Sequence, residues 1–203
     1  MVKLPPPPPA AALTLEPDDL CAVAEHTVLW RLHRTAGAHV VPWNHLRYAG
    51  PTSARFDPHI DGERRGVSYA ALDVPTALAE VFQDRRVINL TRDAPYLTAW
   101  RPRRSLRLLD LSGTWPVRNG ASHAINTGRH DYCRAWAQSV HTRWPDLDGL
   151  WHTSAMTGAP AVTLWTAAAS AFPAAPDFSR PLADPGLRGW ISVAAAGIGY
   201  DVV

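Results

Sequence analysis

Apolar and polar positions alternate most clearly between Gly66 and Phe82. Val67, Tyr69 and Ala71 alternate with Ser68, Ala70 and Leu72, which predicts a half-buried strand. The period then changes to that of a helix. Asp73 is placed to cap it and Pro75 suits its first turn, so a helix is predicted from about Val74 into the Phe82 region. Its apolar stripe is Ala77, Leu78, Val81 and Phe82, and Glu80 is the one charge between Thr76 and Phe82. A carboxylate so placed lies either at the edge of a core or facing a cleft.

The same reading extends along the chain. A short helix is predicted around Pro17 to Glu25, and Thr27 to His33 reads as a first strand carrying Arg31. Val87–Leu90 and Ser105–Leu111 are strand-like, and Tyr132–Arg143 reads as a helix. Gly149–Ser154 and Ala161–Trp165 read as two strands joined by a turn at Met156 to Pro160. Gly186–Ala196 is predicted helical, and Tyr200–Val203 is a last strand. Short strands alternating with a few helices predict a mixed α/β (α+β) single domain, not a bundle. Pro5 to Pro9 form a stiff leader that neither a helix nor a central strand accommodates, so residues 1–14 are expected to be a flexible Pro-rich leader and residues 15–203 the domain. Thr35 to Glu63 is irregular and carries Trp43, Asn44, Arg47, Tyr48, Arg55, Phe56 and Asp57. A loop that long inside a compact domain is either functional or disordered.

Composition narrows the function classes. The chain has 203 residues and a net charge of +2, which favours neither a polyanion binder nor an acidic tail protein. Arginine dominates the basic set, with Lys3 the only lysine. Cys21 and Cys133 are far apart and have no Cys-x-x-Cys spacing, so a disulfide framework is not expected and a reducing cytoplasm fits. No apolar run approaches membrane-spanning length, and no signal core opens the chain. The nine histidines form no metal-ligand spacing, so no metal site is expected. No phosphate-binding loop is present, and Ser154 lacks the flanking glycines of a hydrolase nucleophile. Arg101, Arg103, Arg104 and Arg107 read as a solvated turn before a strand, so no direct nucleic-acid binding is expected.

What remains is a constellation of Arg31, Tyr69, Glu80 and Ser154, each near a strand end or a helix. Taken singly, Arg31 can pair a buried carboxylate, Tyr69 can be core, Glu80 can bridge to a loop arginine, and Ser154 carries little information. Together they carry a resemblance. Leu29-Trp-Arg-Leu-His-Arg34, Ala54-Arg-Phe-Asp-Pro58, the run from Ser68 to Val81 and Asp148-Gly-Leu-Trp-His-Thr-Ser154 resemble the RES domain, over roughly residues 27–203 and in the family's order. The chain has His152-Thr-Ser154 where the family often has Tyr-x-Ser-Arg.

The resemblance implies a fold like that of ADP-ribosyltransferases and a toxin of a type II toxin–antitoxin module that consumes NAD as its substrate. It implies cleavage of the nicotinamide–ribose bond by water or phosphate. The alternatives are ADP-ribosyl transfer to a protein and a silent RES-type binding module. The implied partner is an antitoxin with an Xre-type DNA-binding domain whose C-terminal part plugs the cleft, and a homo-oligomer is compatible with it. In that role Glu80 stabilises positive charge at the anomeric carbon, Arg31 grips the pyrophosphate or ribose, and Tyr69 lies against the nicotinamide ring and offers its hydroxyl. Ser154 hydrogen-bonds the nicotinamide ribose or its phosphate, and Arg55 and Tyr48 contact phosphate and adenine.

Overall fold

The fold is described from a computed structural model covering residues 5–203, so the first four positions of the leader lie outside the described residues. Ten strands and four α-helices follow in the order β1 (Leu20–Val23), β2 (Leu29–Arg34), β3 (Val67–Ala71), α1 (Val74–Phe82), β4 (Val87–Ile88), β5 (Pro95–Trp100), β6 (Leu106–Asp110), α2 (Trp115–Arg118), α3 (His130–Arg143), β7 (Gly149–Thr153), β8 (Pro160–Trp165), β9 (Phe178–Pro181), α4 (Arg188–Ile198) and β10 (Asp201–Val202). Eight strands form one sheet in the order β1-β6-β7-β8-β3-β2-β5-β9, and β4 and β10 form a second, parallel pair. Within the large sheet only β6 and β7 run parallel. This is the expected mixed α/β single domain. No helix among the described residues is long and apolar enough to cross a membrane.

One feature of the pairing shapes everything near it. β2 is hydrogen-bonded to β5 along its whole length, from Leu29↔Trp100 to Arg34↔Pro95, but meets β3 at a single position, Trp30↔Ala71. β3 is fully paired on its other side with β8. The sheet therefore parts between β2 and β3. The irregular segment after β2 fills part of the gap, where Arg47 bridges to Val67 with both backbone bonds, at 2.9 and 3.0 Å.

Local chemistry explains most of the elements. Asp73 caps α1 by accepting from the Thr76 amide at 2.7 Å, with Pro75 in the first turn. α3 buries Cys133, Trp136, Ala137 and Val140, a spacing that puts them on one face. They pack with Leu109, Trp115, Leu150 and Trp165 on one side of the sheet. Leu78 of α1 and Ile191 of α4 pack with Leu97 and Leu182 in a separate cluster.

Several expectations from the pattern change. Pro17–Asp19 is a 3-10 turn and Leu20–Val23 is edge strand β1, not a helix, because Leu20 to Val23 pair with Leu109 to Leu106 of β6. β3 is buried except at the half-buried Tyr69, because packed layers cover both faces of the sheet there, Val67 joining the cluster of Trp165 and Ala70 that of Trp100. β5 and β9 escape the pattern, β5 because Pro95, Thr98 and Ala99 break the run of large apolar residues. The leader residues 5–14 are seated on the helical layer. Trp136 Nε1 donates to the Pro5 carbonyl and Trp115 Nε1 to that of Thr14, each at 2.8 Å, and Leu13 is buried. Two of the arginines before β6 are held by ion pairs. Arg104 forks onto the buried Asp148 at 2.8 and 2.7 Å, and Arg101 meets Asp177 at 3.0 Å.

Gly149 starts β7 at φ +149°, and a Cβ there would stand 1.9 Å from the Thr163 carbonyl oxygen across the sheet. Gly149→Ala should therefore destabilise the domain by about 3 kcal/mol or more. Urea unfolding should show a midpoint far below the wild type's, and an unchanged midpoint would mean that β7 and β8 are not so close.

Candidate functional site

The gap between β2 and β3 is the mouth of a cleft of about 390 Å³. It is walled by β2 and β3, by α1, by the segment from His39 to Phe56 and by the end of β7. Arg31, Arg55, Tyr69 and Glu80 all line it, although the first and last are 49 positions apart in sequence.

Arg31 is 9% exposed on β2. Its Nη1 donates to the carbonyl oxygens of Trp43 at 2.6 Å and His45 at 2.9 Å. No carboxylate pairs with it among the described residues. Burial lowers its pKa to about 10, so it remains a cation at neutral pH. Carbonyl dipoles orient the guanidinium but do not cancel its charge, and a buried cation without a counter-ion is costly unless an anion completes it. Two positions on, His33 faces the same side. Its Nε2 meets Thr98 Oγ1 at 3.1 Å, and Thr98 in turn meets Ser179 Oγ at 2.8 Å. Burial, reinforced by the charge of Arg31, lowers the His33 pKa to about 4, so the imidazole is neutral.

Across the gap, Glu80 projects from α1 into the cleft. Ser154 Oγ donates to Glu80 Oε1 at 2.5 Å. The same hydroxyl accepts from the amides of Met156 at 3.1 Å and Thr157 at 3.2 Å. A serine hydroxyl has one proton and two acceptor positions. With both acceptor positions taken by N–H groups, the proton is committed to Glu80. Thr76 and Thr157 join α1 to this turn through their hydroxyls at 2.9 Å. Glu80 Oε2 has no protein partner among the described residues. Ser154 itself is 3% exposed and stands behind Glu80, not on the cleft wall.

Tyr69 is half-buried, but its hydroxyl is enclosed and has no hydrogen-bond partner among the described residues. The part that faces the cleft is therefore the ring. Burial raises the hydroxyl's pKa above its ordinary value, as does the Asp57 carboxylate, while Arg47 beside it acts the other way. Asp57, fully buried, organises this wall. Its Oδ2 accepts from Arg47 Nη2 at 2.9 Å, the Thr52 amide at 2.8 Å and Thr52 Oγ1 at 2.6 Å, and its Oδ1 accepts from the His59 amide and ring. Burial alone would raise the carboxyl's pKa; the hydrogen bonds from Thr52 and His59 outweigh it and hold it well below the carboxylate range. Arg55 donates to the Gly128 carbonyl and His130 Nδ1 to that of Ser53 at 2.6 Å, which pins the segment to the start of α3. The long irregular segment is thus an ordered wall.

Two expected site residues stand apart from the cleft. Ser154 reaches it only through Glu80. Tyr48 is 38% exposed outside the cleft, with the Arg64 guanidinium 4.5 Å above its ring. Trp43 packs toward Trp100 and offers the cleft only the carbonyl that holds Arg31. Arg47, His33 and His152, which carry no role in the sequence pattern, also line the cleft. His152 on β7 packs against Phe56 with ring centres 4.7 Å apart and the rings tilted by 52°, and burial lowers its pKa to about 4. The signal that could have found His33 was its spacing of two from Arg31 on one strand. No group of three or more His, Cys, Asp or Glu among the described residues could hold a metal ion.

The family model described as RES domain matches residues 28–183. No curated protein sequence matches the chain. Among solved structures, a chain in the crystal structure of the M. tuberculosis MbcT–MbcA toxin–antitoxin complex is similar at a TM-score of 0.53 and 13% identity, over 78% of this chain and 85% of that one.

The neutral histidines set a pH dependence. His33, His141 and His152 are lowered by burial from 6.5 to about 4 in the folded protein. Between those values the unfolded chain binds protons that the folded chain does not, so stability is full above about pH 6.5 and falls as the pH drops toward 4. Urea midpoints at pH 7, 5.5 and 4.5 should decrease in that order. A flat series would show that these imidazoles are protonated in the folded state.

Proposed function

The chain belongs to the RES domain family, and from that premise we propose that it is a toxin whose cleft takes NAD and cleaves the nicotinamide–ribose bond. The observation that carries this reading is the pair facing one cleft: Arg31, a buried cation with no counter-ion among the described residues, and Glu80, a carboxylate held by Ser154 with one oxygen uncommitted. NAD brings an anionic pyrophosphate for the first and a carbon that becomes electron-poor during cleavage for the second.

The steps follow from that division. Arg31 grips the pyrophosphate through charge-assisted hydrogen bonds, already oriented by the Trp43 and His45 carbonyls. The Tyr69 ring lies against the nicotinamide. The bond between the anomeric carbon and the pyridinium nitrogen breaks with its electron pair going to nitrogen, so nicotinamide leaves neutral. Positive charge grows on the ribose, and Glu80 stabilises it and orients the incoming oxygen of water or phosphate. That oxygen bonds to the anomeric carbon, and its proton passes to Glu80 or to solvent. Ser154 is a positioning residue here: it contacts Glu80 and sets which oxygen faces the substrate. The toxin–antitoxin pairing of the similar solved structure supports an antitoxin as the partner, of Xre type on the family resemblance.

The test is NAD consumption by purified protein, with and without phosphate, beside Glu80→Gln. Wild type should release nicotinamide, and Glu80→Gln should lower the rate about 100-fold or more with an unchanged unfolding midpoint. ADP-ribose as product names water as the acceptor, and the phosphorylated sugar names phosphate. Equal rates in the two proteins would refute the role of Glu80. Ser154→Ala should lower kcat about tenfold or more while leaving KM close to the wild type's, since it acts through Glu80 and not on the substrate. Tyr69→Phe should keep most of the activity, because its enclosed hydroxyl is not the part that faces the cleft; loss of turnover in that variant would contradict the ring-only contact.

A further inference from the structure

The charged groups on the cleft wall are unevenly divided. Arg31, Arg34, Arg47 and Arg55 line it, and Glu80 is its only carboxylate among the described residues. The two carboxylates that partner these arginines do not face a ligand. Asp57, behind Arg47, has no exposed surface, and Asp93, at 3.3 Å from Arg34, is not part of the wall. His33 and His152 contribute neutral imidazoles.

In doubly-wound dinucleotide-binding folds, sites that choose NAD over its 2′-phosphorylated form do so with an acidic side chain on the adenosine ribose, which bonds the free 2′-hydroxyl and repels a phosphate placed there. Sites that accept the phosphate offer arginine. Selectivity of that kind is built from contacts to the favoured ligand or from a repulsive element against the other. Glu80 cannot supply it, because its Oε1 is committed to Ser154 and it serves the nicotinamide ribose, at the other end of the dinucleotide. Nothing else on the wall carries negative charge, and Arg55, which meets only the Gly128 carbonyl and Cys133 Sγ among the described residues, is the arginine left to favour an additional phosphate.

We infer that the cleft accepts nicotinamide dinucleotides with or without a 2′-phosphate, so that NADP is a substrate alongside NAD. The inference rests on the proposed cleavage of NAD. The reaction is the same in both cases: the bond between ribose and nicotinamide breaks, nicotinamide leaves with the electron pair, and water or phosphate adds to the anomeric carbon with loss of a proton. From NADP the product keeps its 2′-phosphate, giving 2′-phospho-ADP-ribose when water is the acceptor.

Nicotinamide release from NAD and from NADP by the full-length purified protein tests this, with the second product identified by mass. The expected kcat/KM for NADP is within about tenfold of that for NAD or above it, a difference of one power of ten being the smallest that a single well-placed repulsive contact would give. Consumption of NAD with a kcat/KM for NADP lower by more than that overturns the inference and leaves the proposed function standing. Consumption of neither overturns the proposed function itself, and the inference falls with it.

Discussion

After Trp30 pairs with Ala71, β2 and β3 separate, and the consequences of that separation run through the whole site. Two strands that share one sheet but only one paired position leave backbone groups and a hollow between them, and buried backbone groups must find partners. The irregular segment supplies them on the β3 side, through the bridge between Arg47 and Val67. On the β2 side it supplies the Trp43 and His45 carbonyls, which receive Arg31. The same segment is then tied down by Asp57 from within and by α3 from outside. Arg65, 2% exposed, donates to the carbonyls of Pro58 and Gln138 and to the Thr142 hydroxyl, and so joins the segment to that helix. A cleft walled by a long loop is in this way made rigid before any ligand arrives, which lowers the ordering cost of binding.

The arginines divide by what completes them. Arg104 and Arg65 meet carboxylates and serve the fold. Arg47 meets Asp57 and serves the wall. Arg31 meets only carbonyl oxygens, and no carboxylate among the described residues balances its charge. That contrast, more than the number of basic residues, separates a binding arginine from a structural one. The small net charge conceals it, because composition counts charges without saying which are already paired.

Much of this was legible in the sequence where local chemistry decides the outcome. α1 follows from Asp73, Pro75 and an apolar stripe, and the placement of Glu80 on it follows in turn. The two strands flanking the Met156 to Pro160 turn were equally clear. The failures are tertiary. Leu20–Val23 became a strand because β6 offers it an edge, which no propensity over those residues announces. The leader looked like a flexible tail, yet the indole N–H groups of Trp115 and Trp136 reach its carbonyls from more than 100 positions away. At the site, the sequence brought Arg31, Tyr69, Glu80 and Ser154 together as types, and the fold then separated their tasks. Ser154 turned out to act on Glu80, because the amides of Met156 and Thr157 fill its acceptor positions, a relation that depends on the turn's geometry and not on the identity of any residue in it.

The claim on which the account turns is that Arg31 is an anion site awaiting its ligand. It is tested most directly by calorimetric titration of NAD into Glu80→Gln, which should bind without turning over, and into the double variant Glu80→Gln with Arg31→Met. Loss of one charge-assisted contact to a phosphate should weaken the dissociation constant by about tenfold to a hundredfold. Equal affinity in the two proteins would contradict the account, since the buried charge of Arg31 would then be serving the fold and not the ligand.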